Sequence, residues 1–444
     1  MSERIIIRGG RVVDPASGID RHADVLVEDG RIMRVGDQLP ADGARVVDAA
    51  GLVVAPGLID LHAHLRDPGL EYKEDIESGT RAAARGGFTT VCAMPNTEPA
   101  MDTRATVEYV LREAGERGIV RVLPIGAVSK GRAGKELAEL GDLAAAGCVG
   151  FSDDGAPVHD ATLMRRALEY ASAFGLPVID HCEDTSLTQD AVMHEGWVST
   201  RLGLRAAPAA AEESAVARDI ALAEGTRARL HIAHVSTRGA VEAVRRAKAR
   251  GMPVTAEVTP HHLTLTHEVV AFGALGGDAL IYDTNAKVNP PLRSADDVAA
   301  CVEGLADGTI DCIATDHAPH ATIEKECEFD DAAFGISGLE TAFGLCMRLV
   351  RDGRLSLARL IEALTSGPTH AFALDRQSAG IGTLAVGAPA DVVLLDPEAE
   401  WVVEPERFAS KGKNTPLAGV MLTGRVAMTV VAGCVVHDET EVPV

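Results

Sequence analysis

Residues 57–68 read Gly57-Leu58-Ile59-Asp60-Leu61-His62-Ala63-His64-Leu65-Arg66-Asp67-Pro68. A short apolar run passes into a polar cluster that holds two histidines one residue apart. On a strand, residues i and i+2 point the same way, so His62 and His64 aim at one point. Two neutral imidazoles converging there suit a zinc-type ion. Two polar rim histidines at a strand end give the same short pattern, so the pair decides nothing alone.

The texture then recurs down the chain. Further apolar runs are Phe88 to Met94, Val120 to Ile125, Cys148 to Phe151, Pro177 to Asp180, Arg229 to Ala233, Pro253 to Val258 and Ile310 to Ala314. Between them lie Ala/Glu/Arg-rich stretches such as Arg81–Arg85 and Ala240 to Arg250, which end at Gly as helices do. Eight βα repeats between Pro56 and about His370 predict an α/β fold, a parallel (β/α)8 TIM barrel. A doubly wound sheet is the alternative, but no Gly-rich phosphate fingerprint follows the first run. The flanks differ: short strands broken by Asp/Gly turns occupy the first fifty or so residues and return after about Gly380. This predicts one small β-sandwich built from both termini, residues 1–55 and 375–444, around a barrel over 56–374.

Like the first, runs two and four to eight end in polar clusters: Pro95-Asn96-Thr97, Ser152-Asp153-Asp154-Gly155, His181-Cys182-Glu183-Asp184, His234-Val235-Ser236, Pro260-His261-His262 and Thr315-Asp316-His317-Ala318-Pro319-His320. In a barrel these ends share one rim, where such enzymes hold their chemistry. A histidine ending the fifth and sixth runs and an aspartate ending the eighth make chance convergence with His62 and His64 a poor explanation.

The bulk numbers narrow the partners. The chain has 444 residues and a formal net charge of -23. That field repels phosphate backbones, which argues against nucleic acid. A small anionic substrate needs local positive charge, which a bound metal supplies. No apolar run reaches membrane-span length, and Met1 to Gly10 lacks the apolar core of a signal peptide. The eight cysteines are scattered without a C-x-x-C pair, several inside apolar runs, as buried thiols are in a reducing, cytoplasmic compartment.

These motifs resemble the amidohydrolase superfamily. Many members carry a carboxylated lysine at the fourth strand end, where this chain reads Gly150-Phe151-Ser152-Asp153-Asp154-Gly155. An aspartate there is what the bacterial type I dihydroorotases use. Pro56 to Gly69, Ala93 to Thr97, Asn289-Pro290-Pro291-Leu292-Arg293, Ala314 to His320 and Ser410-Lys411-Gly412-Lys413-Asn414-Thr415-Pro416 are similar to the same group, across nearly the whole chain. The resemblance implies a zinc-dependent, reversible interconversion of N-carbamoyl-L-aspartate and L-dihydroorotate in pyrimidine biosynthesis.

By that resemblance His62, His64 and Asp316 hold one zinc, and His181 and His234 a second, with a strand-four aspartate bridging. The family's bridging position falls on Asp154. Strand physics says only that Asp153 and Asp154 face opposite ways, and one occupied site also fits the ligand types. The resemblance further implies that zinc there would lower the pKa of water, while Asp316 would take the released proton and pass it to the leaving ring nitrogen. Pure metal ligation is the plain alternative for Asp316, and both roles can hold at once. Arg66, two beyond His64, suits a bidentate clamp on the substrate carboxylate. His64, Asn96, Asn289, His320 and the main chain at Phe334 and Gly335 match the remaining substrate contacts. Asn289 as a turn residue and Asn96 as a cap are the plain alternatives.

Other polar residues get plainer roles. His231 is structural, and His317 and Cys182 face away from the metals. Were that strand end remodelled, the Cys182 thiolate competes as a ligand. His22, His194, His267, His370 and His437 lie off the rim; His261 and His262 lie on it without a ligand match. The charged stretch Glu324 to Glu328, between His320 and Gly335, marks a candidate lid that is disordered when the site is empty. The rival readings are a hydantoinase or allantoinase, and a non-catalytic scaffold for aspartate transcarbamoylase. The first usually carries the bridging lysine, and the second tends to lose ligands that are all present here. A homodimer and a complex with aspartate transcarbamoylase follow from the resemblance alone.

Overall fold

The computed structural model describes residues 4–376 and 378–440. The start of the N-terminal segment, Met1 to Glu3, lies outside them. The apolar runs form eight central strands: β1 (Leu58–Ala63), β2 (Phe88–Ala93), β3 (Arg121–Pro124), β4 (Phe151–Ser152), β5 (Val178–Asp180), β6 (Leu230–Ile232), β7 (Val254–Val258) and β8 (Cys312–Ile313). All their pairings are parallel: β1 with β2, β2 with β3, then β4 through β8 in chain order. Parallel bridges from Gly126 to Phe151 and from Ala63 to His317 join the two arcs, so the pairing runs full circle.

Alternation along each strand builds two cores. Ile59 and Leu61 point inward with Cys92, Met94, Ile125, Val149, Ile179 and Ala314, and Phe372 from helix Ser366–Phe372 closes one end. Leu58, Phe88, Val91, Val178, Leu230 and Val254 point outward against the helices. Those helices begin at side-chain caps: Asp75 before Ile76–Arg85, Thr103 before Arg104–Arg117, Thr237 before Arg238–Ala249. Gly57, where the chain enters β1, is required by close approach. A Cβ there falls 2.2 Å from the Thr89 side chain.

The chain ends build two sheets. One joins Arg31–Gly36, Asp24–Glu28, Ile5–Arg8 and Arg45–Asp48. The other runs Cys434–Asp438, Met421–Val431, Val392–Val402, Val53–Pro56, Arg11–Asp14, Ile19–His22. Strand Val53–Pro56 lies between an N-terminal and a C-terminal neighbour. Ile5, Val12, Val25, Val54, Val392, Leu394 and Met428 share one core. A small parallel pair, Met193–His194 with Ala206–Ala207, sits in the connection after β5, where no strand is read from the sequence.

Candidate active site

The polar clusters gather at one end of the ring. His62 is the last-but-one residue of β1, and His64, Asp154, His181, His234 and Asp316 follow the ends of β1, β4, β5, β6 and β8. All are buried. His234 and Asp316 take left-handed backbone conformations, φ 33° and 47°, as does Arg66 at 60°. A left-handed backbone at a non-glycine costs on the order of 1 kcal/mol or more and clusters where function requires it.

The functional atoms face a common centre. His62 Nε2 lies 3.3 Å from Asp154 Oδ1 and 3.4 Å from Asp316 Oδ1. His64 Nε2 lies 3.1 Å from Asp316 Oδ1 and 3.6 Å from Asp154 Oδ2. His234 Nε2 is 3.6 Å and His181 Nδ1 3.8 Å from Asp154 Oδ1, and the two ring nitrogens are 2.9 Å apart. Two ligands about 2.1 Å from a tetrahedral ion stand about 3.4 Å apart, so this spacing is that of a ligand shell. His62 Nε2 and Asp154 Oδ1 are buried with no hydrogen-bond partner. Buried polar atoms without partners are costly unless something absent from the chain satisfies them. His62, His64 and Asp316 form one candidate metal group, and His62, Asp154 and His234 another.

The electrostatics ask for a cation. Burial lowers the His62 pKa, but the facing carboxylates of Asp154, Asp316 and Glu257 outweigh it and raise it well above the ordinary value. Burial pushes the Asp316 carboxyl up, and His62, His64 and His234 hold it well below the carboxylate range. Asp154 behaves likewise beside His62, His234 and His64.

The flanking residues sort the remaining expectations. Asp153 accepts from the main-chain N–H groups of Val128 and Ser129 at 2.9 and 3.0 Å and from the Ser129 hydroxyl. It therefore faces away, and Asp154 faces the histidines. His231 bonds Thr255 Oγ1 at 2.8 Å and Glu257 Oε2 at 3.1 Å, outside the cluster. His317 meets Glu74 at 3.2 Å. Cys182 Sγ faces Asp219, 3.6 Å away, rather than the histidines. Arg66, Asn96, Asn289, His320, Phe334 and Gly335 line a cavity of about 210 Å³ together with His64, Asp154, His181, His234 and Asp316. Arg66 does not reach it by strand alternation, because β1 ends at Ala63; a left-handed turn carries it there. Its Nε donates to Pro319 O at 3.4 Å, and burial pulls its pKa down to about 10. At Phe334–Gly335 the main chain is largely engaged: Gly335 N–H donates to Lys287 O, and Phe334 O lies 2.8 Å from His320 Nε2.

Several supporting residues carry no assignment from sequence. Glu257 Oε1 sits 2.7 Å from His62 Nδ1, and Asp60 accepts from the main-chain N–H of His62 and of Thr315. Glu183 holds His181 Nε2 at 3.0 Å and accepts from Asn289 at 2.9 Å. Asn414 accepts from His320 N–H and donates to Ala318 O and Gly335 O. The one available sign for Asp60 and Glu257 is an acid inside an apolar run.

The chain matches a family model described as "Dihydro-orotase-like" over residues 51–240. It is 57% identical over 441 residues to a dihydroorotase of Anaeromyxobacter dehalogenans (strain 2CP-C), covering 99% of both chains. A dihydroorotase of Syntrophotalea carbinolica is 55% identical over 98% of this chain and 99% of its own. Among solved structures, the L-hydantoinase (dihydropyrimidinase) of Arthrobacter aurescens superposes with a TM-score of 0.87 at 28% identity, covering 100% of this chain and 98% of that one. Among the described residues, no helix is long and apolar enough to cross a membrane. With this identity sustained from end to end, the chain belongs to the dihydroorotase family.

Proposed function

We propose that this chain hydrolyses the ring amide of L-dihydroorotate to N-carbamoyl-L-aspartate and catalyses the reverse cyclisation, as a type I dihydroorotase of the amidohydrolase superfamily. The observation that carries this reading is the buried His62–His64–Asp154–His181–His234–Asp316 cluster with the Arg66 guanidinium on the same cavity. The closed parallel circuit is read as a (β/α)8 barrel over 56–374, with a β-sandwich from 1–55 and 375–444.

His62, His64 and Asp316 would hold one zinc, and His181 and His234 a second, with Asp154 between them. Zinc there supplies Lewis acidity and lowers the pKa of water to about 7. Asp316 Oδ1, facing both His62 and His64, receives the proton released as the carbonyl carbon is attacked and returns it to the departing ring nitrogen. Arg66 binds the substrate carboxylate by paired N–H donors. Asn96, whose Oδ1 meets His64 Nδ1 at 2.7 Å, keeps its amide N–H₂ for the substrate. Asn289, His320 and the Phe334–Gly335 edge complete the wall around the ring. The same reading includes a cytoplasmic location, supported by the scattered cysteines without a disulfide framework. It also includes a homo-oligomer and association with aspartate transcarbamoylase, both supported by the sequence resemblance.

Purified protein assayed on L-dihydroorotate, hydantoin and allantoin, with metal analysis, tests this. Turnover of dihydroorotate alone, lost on chelation and reduced about 10²–10⁴-fold in Asp316→Ala, is the expected result. Turnover of hydantoin instead moves the substrate assignment. Inactivity on all three with zinc restored overturns the enzymatic reading.

A further inference from the structure

Residues 321–335 run from His320 to the Phe334–Gly335 edge of the cavity, and their charged stretch reads as a mobile lid. Lys325, at the centre of that stretch, is only 3% exposed. Its Nζ donates to Ala333 O at 2.7 Å, Thr284 O at 3.0 Å and Lys287 O at 3.1 Å. Ala333 lies in the loop; Thr284 and Lys287 lie in the segment that leads to Asn289. The Lys287 carbonyl also accepts from Gly335 N–H at 2.9 Å, so one oxygen joins both segments. Lys287 is itself buried, donates to Phe329 O and Asp330 O at 2.8 and 2.9 Å, and stands 4.6 Å from the Phe334 ring centroid. All these acceptors are main-chain oxygens. A buried ammonium served by carbonyls alone is costly, and its tetrahedral donors suit gathering acceptors from separate segments.

We propose that Lys325 is a positioning residue for the substrate cavity: its ammonium fastens the 321–335 loop to the 284–289 segment, so that Phe334, Gly335 and Asn289 form one preformed wall. The cavity's being the substrate site rests on the reading above; the fastening itself does not. Burial and the Lys287 ammonium push the Lys325 pKa down to about 7, opposed by Asp283, Cys327 and Glu324, and the His320 ring also feels the Lys325 charge. A neutral amine has one N–H fewer than an ammonium, so it cannot serve all three carbonyls at once.

Lys325→Met tests the fastening by hydrogen exchange over 321–335 and 284–289 without substrate, alongside dihydroorotate kinetics and zinc content. Exchange in both segments should accelerate about tenfold or more while helix Arg238–Ala249 is unchanged. KM for dihydroorotate should rise about tenfold with kcat within about threefold and zinc content unchanged. In the unsubstituted protein, exchange of the loop corrected for intrinsic rates should accelerate between about pH 6 and about pH 9, and Lys325→Met should flatten that rise. Unchanged loop exchange in Lys325→Met overturns the proposal, as does a loss of zinc or of kcat in place of the KM rise. If the variant does not fold, Lys325→Gln, whose amide keeps two N–H donors, is measured in the same way, and unchanged loop exchange there overturns the proposal. Failure of the dihydroorotate reading appears as inactivity of the unsubstituted protein and leaves the exchange result standing.

Discussion

His62 Nδ1 and Glu257 Oε1 lie 2.7 Å apart, and neither side chain reaches solvent. The other Glu257 oxygen bonds His231, which in turn bonds Thr255. A carboxylate at Nδ1 selects the tautomer that leaves the Nε2 lone pair aimed at Asp154 and Asp316. Glu257→Gln keeps the shape and removes the charge. Zinc affinity, measured by competition with a chromophoric chelator, should fall about 10–100-fold. Unaltered affinity would reduce Glu257 to a core-filling role.

Arg66 has one weak hydrogen bond, to Pro319 O, and faces the cavity with no carboxylate of the chain bonded to it among the described residues. Arg66→Met should lower kcat/KM for dihydroorotate about 30–100-fold, the worth of a charge-assisted pair. Zinc content should be preserved. An equal loss on a substrate analogue lacking the carboxylate would show that the guanidinium does not act on that group.

Gly412 packs against the residue that precedes His320: a Cβ there falls 2.4 Å from Pro319 Cβ and 2.7 Å from its Cα. The displaced atoms include main chain, which also presents the carbonyl that Arg66 bonds. Gly412→Ala should cost about 1–3 kcal/mol by overpacking and lower kcat/KM about tenfold or more through misplaced Arg66 and His320. Chemical denaturation and steady-state kinetics on one preparation read both. Full activity with unchanged stability would mean that the segment yields without moving the site.

His194, 8% exposed and 3.2 Å from Arg293, has its pKa lowered from 6.5 to about 4 by burial, then by Arg293 and His267. Above pH 6.5 the ring is neutral in folded and unfolded chains alike, and the group costs nothing. As pH falls from 6.5 toward 4 the unfolded chain binds a proton that the native state refuses, so stability falls, by on the order of 3 kcal/mol at most. Urea midpoints between pH 7 and pH 4.5 should drop less steeply in His194→Gln. Parallel curves would place the acid sensitivity elsewhere.

The eight runs are legible because apolar residues bounded by polar clusters recur at the spacing of βα units, and β2 starts at the residue where its run begins, Phe88. The convergence of His62, His64, His181, His234 and Asp316 is legible for the same reason, because strand ends are readable; the proposed role of each as a ligand comes from the family resemblance. What alternation gives is a face, not a partner. It separates Asp153 from Asp154 but does not say which turns inward; the N–H groups of Val128 and Ser129, brought alongside by the fold, settle that. Glu257 reads as an acid in an apolar run until His62 and His231 are placed on either side. Lys325 reads as one charge in a solvated stretch, because its acceptors are main-chain oxygens and main chain has no spelling in the sequence.

Strand Val53–Pro56 has Arg11–Asp14 on one side and Val392–Val402 on the other, with the whole ring between them in chain order. A ribosome delivering this chain sets out the apolar faces of the N-terminal sheet first. At typical elongation rates they wait on the order of half a minute for the strand that completes them. The ring is thus finished while its neighbouring sheet is still half-made. The newborn chain has an interval in which Ile5, Val12 and Val54 lack the Val392 and Leu394 side chains that cover them in the finished molecule. Chaperone engagement during synthesis should concentrate on that stretch and end when the last seventy or so residues emerge.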